Sequence, residues 1–337
     1  MSTLKDVAKL AGVSYSTVSL VLNGRAEERK ISKITQDKVY SAANELHYVV
    51  NIAARKLKSA QEERYSVAFF WPDDYRISFV SRLITGIYSV LMDSNDKIDF
   101  VICPYKIGHL SSHAALLVDG HYHGAVIASA SEPDLEYLES TDFPIPIVLL
   151  NRDSKKYCTV GTDNYAAGQI AAKYLIGCGF TDVATVFSAQ QYTAMNQHQL
   201  GFIDTWEKEV GQISKRYICQ NTITGGYNFG IELFKGPLPQ VLFCDTDAIS
   251  RGLLCAANES GKIIPDDLSI LSMGVYSPES SAFTVPPLTT VEIPHELFAK
   301  QGFEILMSQI RKEITQPCHM FFDPELRIRA SCQPISK

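Results

Sequence analysis

Nowhere does this chain string together the roughly 18 uncharged apolar residues that a membrane-spanning helix requires, so no span is expected. Its opening, MSTLKDVAKL, lacks the apolar stretch of a signal peptide and has Lys5, Asp6 and Lys9 there instead, which predicts a cytoplasmic location. No G-x-S-x-G elbow and no P-loop occurs, and GTDNYAAG lacks the spacing of a phosphate loop, so no catalytic residue is assigned and an enzyme is not expected. No C-x-x-C pair is found among the cysteines at 103, 158, 178, 219, 244, 255, 318 and 332, which reads as a set of reduced, mostly buried thiols.

What is present is core material and an uneven charge. A 337-residue chain with 46% hydrophobic residues suits two or three domains. The formal net charge is -6, yet residues 1–60 carry ten Lys/Arg against five Asp/Glu, and the rest carries 21 against 32. Basic charge is therefore concentrated in a small N-terminal piece, which points to a polyanionic partner for that piece alone.

Within it, Leu4, Val7, Ala8 and Ala11 fall on one face of a short helix that Thr3 can cap. Gly12-Val13 makes a tight turn. Ser14 can cap a second helix that buries Val18, Val21 and Leu22 and stops at Asn23-Gly24. Ser32 opens a third, with Ile34, Val39, Ala42, Ala43 and Leu46 as its buried stripe. Two short helices joined by a Gly turn describe a helix-turn-helix, whose second helix enters the major groove. Tyr15 and Ser16 would sit at its leading end, within reach of base edges, while Thr17, Ser19 and Asn23 suit phosphate oxygens. A structural three-helix bundle is the alternative on these residues alone. The next stretch, YVVNIAARKLKSAQEERY (48–65), is too weak a helix to stand by itself. Its Asn51, Arg55 and Leu57 suit a segment that orders on DNA, with Leu57 as an apolar wedge in the minor groove.

From residue 66 apolar strand-like runs (66–71, 99–105, 124–129, 145–151, 183–188, 215–220, 240–245, 268–274) alternate with helical ones, among them 78–93, 162–179 and 194–210. That alternation predicts two parallel sheets with right-handed crossovers and a ligand cleft at the carboxyl ends of the strands. In the helix over 78–93, Phe79, Leu83, Ile87 and Val90 read as core, with a dimer contact as the alternative.

LKDVAKLAGVSYSTVSLVLNG, ISKITQDKVYSAANELHYVVNIAARKLKS, VGTDNYAAGQIAAKYLIGCGF, LFCDTDAISRGLLCAANESGKIIPDDLSIL, PPLTTV and PELRIRAS together resemble the lactose-repressor-like LacI/GalR family of bacterial transcription regulators. The resemblance implies an all-α helix-turn-helix head plus an α/β periplasmic-binding-protein-like sensor of two parallel-sheet lobes. The head would span 1–47, a hinge 48–64 and the effector-binding and dimerisation domain 65–337. Its N-lobe would comprise about 65–159 and 291–321, its C-lobe about 162–288 and 323–337, with chain crossings near 159–162, 288–292 and 321–324. It also implies a cytoplasmic, nucleoid-associated homodimer that binds pseudo-palindromic operator DNA and a small-molecule effector, a sugar or related metabolite. The alternatives are a small-molecule-binding protein, or a corepressor-dependent regulator that senses no simple sugar.

By the same resemblance, Tyr15, Ser16 and Leu20 take the base-reading positions and Leu57 the intercalating one. Leu20 stands where many members carry Arg, offering apolar contact in place of bidentate guanine recognition. Asp73, Asp74, Arg152 and Asp163 fall at the cleft edge. Phe243 reads equally as a stacking surface for a ligand or as core, and Asp247 as a ligand contact or a helix cap. Three departures concern the effector. His198 replaces an Arg, Thr246 replaces an Asn, and SMGV (272–275) lacks two acids, so a ligand of different polarity is expected. The histidines of HLSSHAALLVDGHYHG (109–124) read as surface or cleft-edge residues rather than a metal site, and no cofactor is expected.

Overall fold

In a computed structural model, residues 4–22, 26, 29–46, 64–73, 77–118, 121–189 and 193–335 are described. The expected Thr3 cap, Asn23, the hinge residues Asn51, Arg55 and Leu57, and Asp74 lie outside the described residues. Two compact units make up the chain, one of residues 1–62 and 119–121, the other of residues 63–118 and 122–337.

The first unit contains α1 (Leu4–Ala11), α2 (Tyr15–Leu22) and α3 (Lys33–Glu45). Helices of eight residues do not hold in water alone. Here Val7, Val18, Val21 and Val39, all fully buried, pack them together with Ala8, Ala42 and Ala43. Gly12 takes φ +67°, the left-handed turn between α1 and α2 that side chains resist. Ser14 caps α2 by accepting the Thr17 N–H at 3.1 Å, and Ser32 caps α3 by accepting that of Thr35 at 3.3 Å. One expected core residue is misplaced. Ile34 is 71% exposed. Five positions from Val39, at about 100° per residue, put it roughly 140° off the buried face, and Ile31 packs on this core instead.

In the second unit, one sheet comprises β1 (Arg64–Pro72), β2 (Lys97–Tyr105), β3 (Gly124–Ala128), β4 (Ile147–Leu150), β5 (Cys158–Thr162) and β11 (His319–Phe322). Its order is β11-β5-β4-β3-β1-β2, and all its pairings are parallel. The other comprises β6 (Val183–Ser188), β7 (Lys215–Cys219), β8 (Val241–Cys244), β9 (Ser269–Gly274), β10 (Thr289–Glu292) and β12 (Glu325–Arg327), in the order β12-β10-β9-β8-β6-β7. Only β12 runs antiparallel, against β10. Strands such as GAVIA and IVLL are buried at every position, as parallel sheets covered on both faces require.

The connecting helices are α4 (Ile77–Asp93), α5 (Ala114–Val118), α6 (Glu132–Ser140), α7 (Asn164–Gly177), α8 (Thr193–Glu209), α9 (Ile223–Leu233), α10 (Asp247–Glu259), α11 (Pro278–Ala282) and α12 (His295–Ile310). Phe79, Leu83 and Ile87 of α4 are buried, which makes them core. α12 lies so close to α4 that a Cβ on Gly86 would meet the Glu296 carbonyl oxygen at 2.1 Å. α7 and α8 cross equally tightly, a Cβ on Gly168 falling 2.0 Å from the His198 carbonyl oxygen.

The chain passes between sheets after Thr162, after Glu292 and after Phe322. These passages fall at the ends of, or within, the crossings expected near 159–162, 288–292 and 321–324. Residues 158–162 form a strand of the first sheet, and Val291 pairs with Met273, so Val291 and Glu292 stay with the second lobe.

Candidate functional site

At the leading end of α2, Tyr15 and Ser16 are exposed, while Thr17, Ser19 and Leu20 are half-buried. The Ser14 hydroxyl lies 2.8 Å from those of both Ser16 and Thr17. This cluster of rotatable hydroxyls can exchange its internal bonds for phosphate or base-edge acceptors without moving the backbone. The other end of α2 is fastened where the Tyr40 hydroxyl donates to the Val21 carbonyl at 3.2 Å.

In the second unit a set of buried polar groups stands at the carboxyl ends of strands, among them Ser129, Thr162, Ser188, Asn221 and Asp245. Asp245, directly after β8, is completely buried. Its Oδ2 accepts the Ser188 N–H and the Gln199 Nε2–H, both at 2.8 Å, while Oδ1 has no hydrogen-bond partner. Burial pushes this carboxyl up to about 7, against the opposing pull of those two donors. Beside it, Thr246 caps α10 and donates to Asn221 Oδ1 at 2.7 Å, and Asn221 Nδ2 donates to the Tyr276 hydroxyl at 2.9 Å.

Asp247 has both oxygens filled. Oδ1 accepts the N–H groups of Val275 and Tyr276 at 3.1 and 2.9 Å, and Oδ2 that of Ser277 at 3.1 Å. It therefore clasps the loop after β9, and Thr246 supplies the helix cap that the sequence allowed for Asp247. Burial raises the Asp247 carboxyl, and the N–H groups and the Arg251 charge oppose that shift.

Phe243 is core. It is fully buried, with Phe202 stacked on its ring at 4.0 Å between centroids and Phe187 against its edge, so no face is open to a ligand. His198 is buried within the second lobe, and its Nε2 has no hydrogen-bond partner. Desolvation lowers it to about 3, so the imidazole stays neutral. It cannot supply the positive charge of the Arg it replaces.

Across the cleft, Asp73 follows β1 and is exposed, its N–H donating to the Tyr105 carbonyl. Arg152, after β4, donates from Nε to the Ala130 carbonyl at 2.5 Å and from Nη1 to that of Asn151 at 2.6 Å, tying the ends of β3 and β4 together. Asp163 is an exposed cap of α7, accepting the Ala166 N–H at 2.8 Å. Thr193, opening α8, donates to Glu132, opening α6, at 3.4 Å, and Asn164 Nδ2 donates to Asn151 Oδ1 at 3.1 Å. These two bonds join the lobes.

A stronger link escaped the sequence reading. Arg82 of α4 is 7% exposed and makes a two-pronged ion pair with Glu296 at 2.7 and 2.6 Å. It also donates to the carbonyls of Val275 at 2.9 Å and Ile293 at 3.0 Å, and its Nη1 lies 2.9 Å from His295 Nδ1. The loop that Asp247 clasps is thus held from the first lobe as well. The available signal was a single interior charge in the apolar run SFVSRLITGIYSV. Asp245, Gln199, Asn221 and Tyr276 were also missed, because none stands at a motif position. As for the histidines, His123 Nδ1 accepts the Ser66 N–H at 2.8 Å and the His109 ring binds the Ile107 carbonyl. Among the described residues, no three His, Cys, Asp or Glu side chains form a metal-binding group.

Comparison with known proteins bears on both units. Residues 3–51 match the model of bacterial regulatory proteins of the lacI family, and residues 172–332 that of a periplasmic binding protein-like domain. The HTH-type transcriptional repressor PurR of Haemophilus influenzae is 28% identical over 99% of this chain and 100% of its own length. That of Actinobacillus pleuropneumoniae is 24% identical over the full length of both. Among solved structures, a LacI family transcription regulator from Clostridium acetobutylicum is 31% identical with a TM-score of 0.74, covering 79% of this chain and 99% of that one. The lac repressor dimer bound to operator and the anti-inducer ONPF shares the fold at 20% identity, with a TM-score of 0.69 over 98% of each chain. With a matching head, a matching sensor and a relative above 30% identity along nearly its whole length, the chain belongs to the LacI family of DNA-binding transcriptional regulators, and not to an enzyme family.

Proposed function

We propose that the chain is a cytoplasmic repressor, acting as a homodimer on a pseudo-palindromic operator, whose DNA affinity is set by a small polar metabolite bound between the two lobes. In this reading residues 1–47 form the DNA-binding head, 48–64 the hinge and 65–337 the sensor. Tyr15, Ser16 and Leu20 meet base edges, Thr17, Ser19 and Asn23 hold phosphates, and Asn51, Arg55 and Leu57 act from the hinge in the minor groove. The repressor sense is supported by full-length relatives that are named repressors.

The observation that carries ligand control is Asp245: a buried carboxyl at a strand end, with one oxygen filled and the other buried without a partner. An uncompensated buried acceptor is costly. A ligand hydroxyl or N–H that fills it is bound with high selectivity, because an analogue lacking the donor leaves the group unpaired. In this reading Arg152, Asp163 and Asp73 stand at the ligand's entrance, whereas His198, Thr246 and Asp247 act by holding the second lobe's structure. With a neutral imidazole in place of Arg, the ligand class is an uncharged, donor-rich molecule such as a sugar; solved relatives with bound cellobiose and ribose support that class.

The test is capture of fragmented genomic DNA on the purified protein, then titration of the recovered site with a panel of neutral sugars and of anionic metabolites. Enrichment of an inverted repeat whose affinity one neutral compound changes, with a steep loss of binding as salt rises, is the expected result. A response confined to anionic compounds would refute the ligand class.

A further inference from the structure

The sequence presents eight scattered cysteines, but the fold brings two of them, 160 positions apart, into contact. Cys158 opens β5, and Cys318 immediately precedes β11. These strands pair in parallel with Thr159 opposite His319, so the two cysteines face one another one step earlier in the ladder. Their sulfurs are 3.0 Å apart, with the Cys318 thiol donating to Cys158 Sγ. Adjacent strands in such register place side chains at the separation that a disulfide requires.

The pair is chemically unequal. Cys158 Sγ also accepts the Cys318 backbone N–H at 3.2 Å and the Gln309 Nε2–H at 3.3 Å. Three donors thus converge on the Cys158 sulfur, whose own thiol donates to the Gln316 carbonyl at 3.8 Å. Burial and the neighbouring sulfur push the Cys318 thiol up to about 12, so it keeps its proton. Cys158 is buried, but Cys318 is only half-buried, which leaves the pair one side chain below the surface.

We propose that Cys158 and Cys318 are a peroxide-oxidisable pair, Cys158 as the attacking sulfur and Cys318 as the resolving one. The Cys158 thiolate attacks one oxygen of hydrogen peroxide. The S–O bond forms, the O–O bond breaks, and the departing hydroxide takes a proton from solvent to leave as water, giving a sulfenic acid. The Cys318 sulfur then attacks the Cys158 sulfur. The S–S bond forms, the S–O bond breaks, and the Cys318 proton leaves with the hydroxide as a second water. Overall two thiols are oxidised to a disulfide and one peroxide is reduced to two waters. The position matters because β5 and β11 each lead into a crossing between the lobes, with Thr162 donating to the Phe322 carbonyl at 2.6 Å where they end. The disulfide fastens the two strands at the opposite end of the same ladder.

The full-length protein is treated with hydrogen peroxide, alkylated, digested and mapped by mass. The expected product is a Cys158–Cys318 cross-linked peptide within one chain, lost on adding dithiothreitol. Cys318→Ser should hold Cys158 as a sulfenic acid that dimedone traps, whereas Cys158→Ser should leave Cys318 without a dimedone adduct. The exposed Cys255 serves as the internal control for unassisted oxidation. Oxidation of Cys255 alone, or dimedone labelling of Cys318 in preference to Cys158, overturns the proposal. The mapping of the unmodified chain decides the pairing even if a variant fails to fold.

Discussion

In the first lobe, Asp134 sits in the opening turn of α6, buried, and gathers the N–H groups of Gly108, Leu110 and Ser131 with the hydroxyls of Tyr105 and Ser131. In the second lobe, Asp247 sits in the opening turn of α10, buried, and gathers Val275, Tyr276 and Ser277. The two lobes thus fasten a loop beside the cleft with the same device, a helix-start carboxylate with both oxygens filled by backbone donors. They differ in what stands next to it. Among the described residues, only the second lobe adds a buried carboxyl, Asp245, with an oxygen that has no partner, while the first lobe offers the exposed Asp73 and an Arg152 engaged with backbone carbonyls. A polar residue near a cleft is therefore no guide to ligand contact until its hydrogen bonds are accounted for.

The parity of the two clasps is broken most severely by removing one of them. Asp247→Ala and Asp134→Ala should each cost about 4 kcal/mol, because each strands several buried N–H groups. Urea unfolding should show comparable losses. A large loss for one and none for the other would mean that the lobes are not built alike. Removing the bond between the lobes comes next. Arg82→Met leaves Glu296 and the carbonyls of Val275 and Ile293 without their donor, and should cost about 3 kcal/mol in the same measurement.

Asp245 differs from both clasps in having one oxygen without a partner, and burial raises its carboxyl to about 7. The folded chain then holds a proton on it over a range, from the ordinary carboxylate value up to about 7, in which the unfolded chain has released it. The folded state binds more protons there, so this residue's contribution to stability falls as pH rises through that window and is level above it. Asp245→Asn should remove that slope and leave the protein about 2 kcal/mol more stable than the parent at pH 8, with little difference at pH 4. Thermal unfolding across pH reads it, and parallel slopes for parent and variant would contradict the buried, half-partnered carboxyl. Smallest is the head. Ser14→Ala removes the cap of α2 and one partner of its hydroxyl cluster, for about 1 kcal/mol by thermal unfolding.

Much of this was legible in the sequence, and the gaps have physical causes. Alternating apolar runs give strands and helices wherever one face differs from the other, so β1 to β4 and β6 to β9 were readable. β5 was not, because CTVGT is short, buried at every position and joined directly to a helix signal. Phe243 was ambiguous for the same reason: a strand buried on both faces has no polar side to mark direction. Motif resemblance pointed to residues 246 and 247 within CDTD, but the unpartnered oxygen belongs to Asp245, and only the three-dimensional placement of Ser188 and Gln199 distinguishes them. Cys158 and Cys318 could not be paired from a sequence in which their strands lie far apart.

The central claim is that the second lobe's half-partnered carboxyl reads the ligand that controls DNA binding. The most direct measurement is the affinity of the captured operator fragment for the parent and for Asp245→Asn, each with and without a small-molecule extract of the source cells. The account predicts that the extract changes the parent's affinity by about tenfold or more, a coupling of about 1.4 kcal/mol, and that the variant loses most of that response. An equal response in both proteins would contradict it.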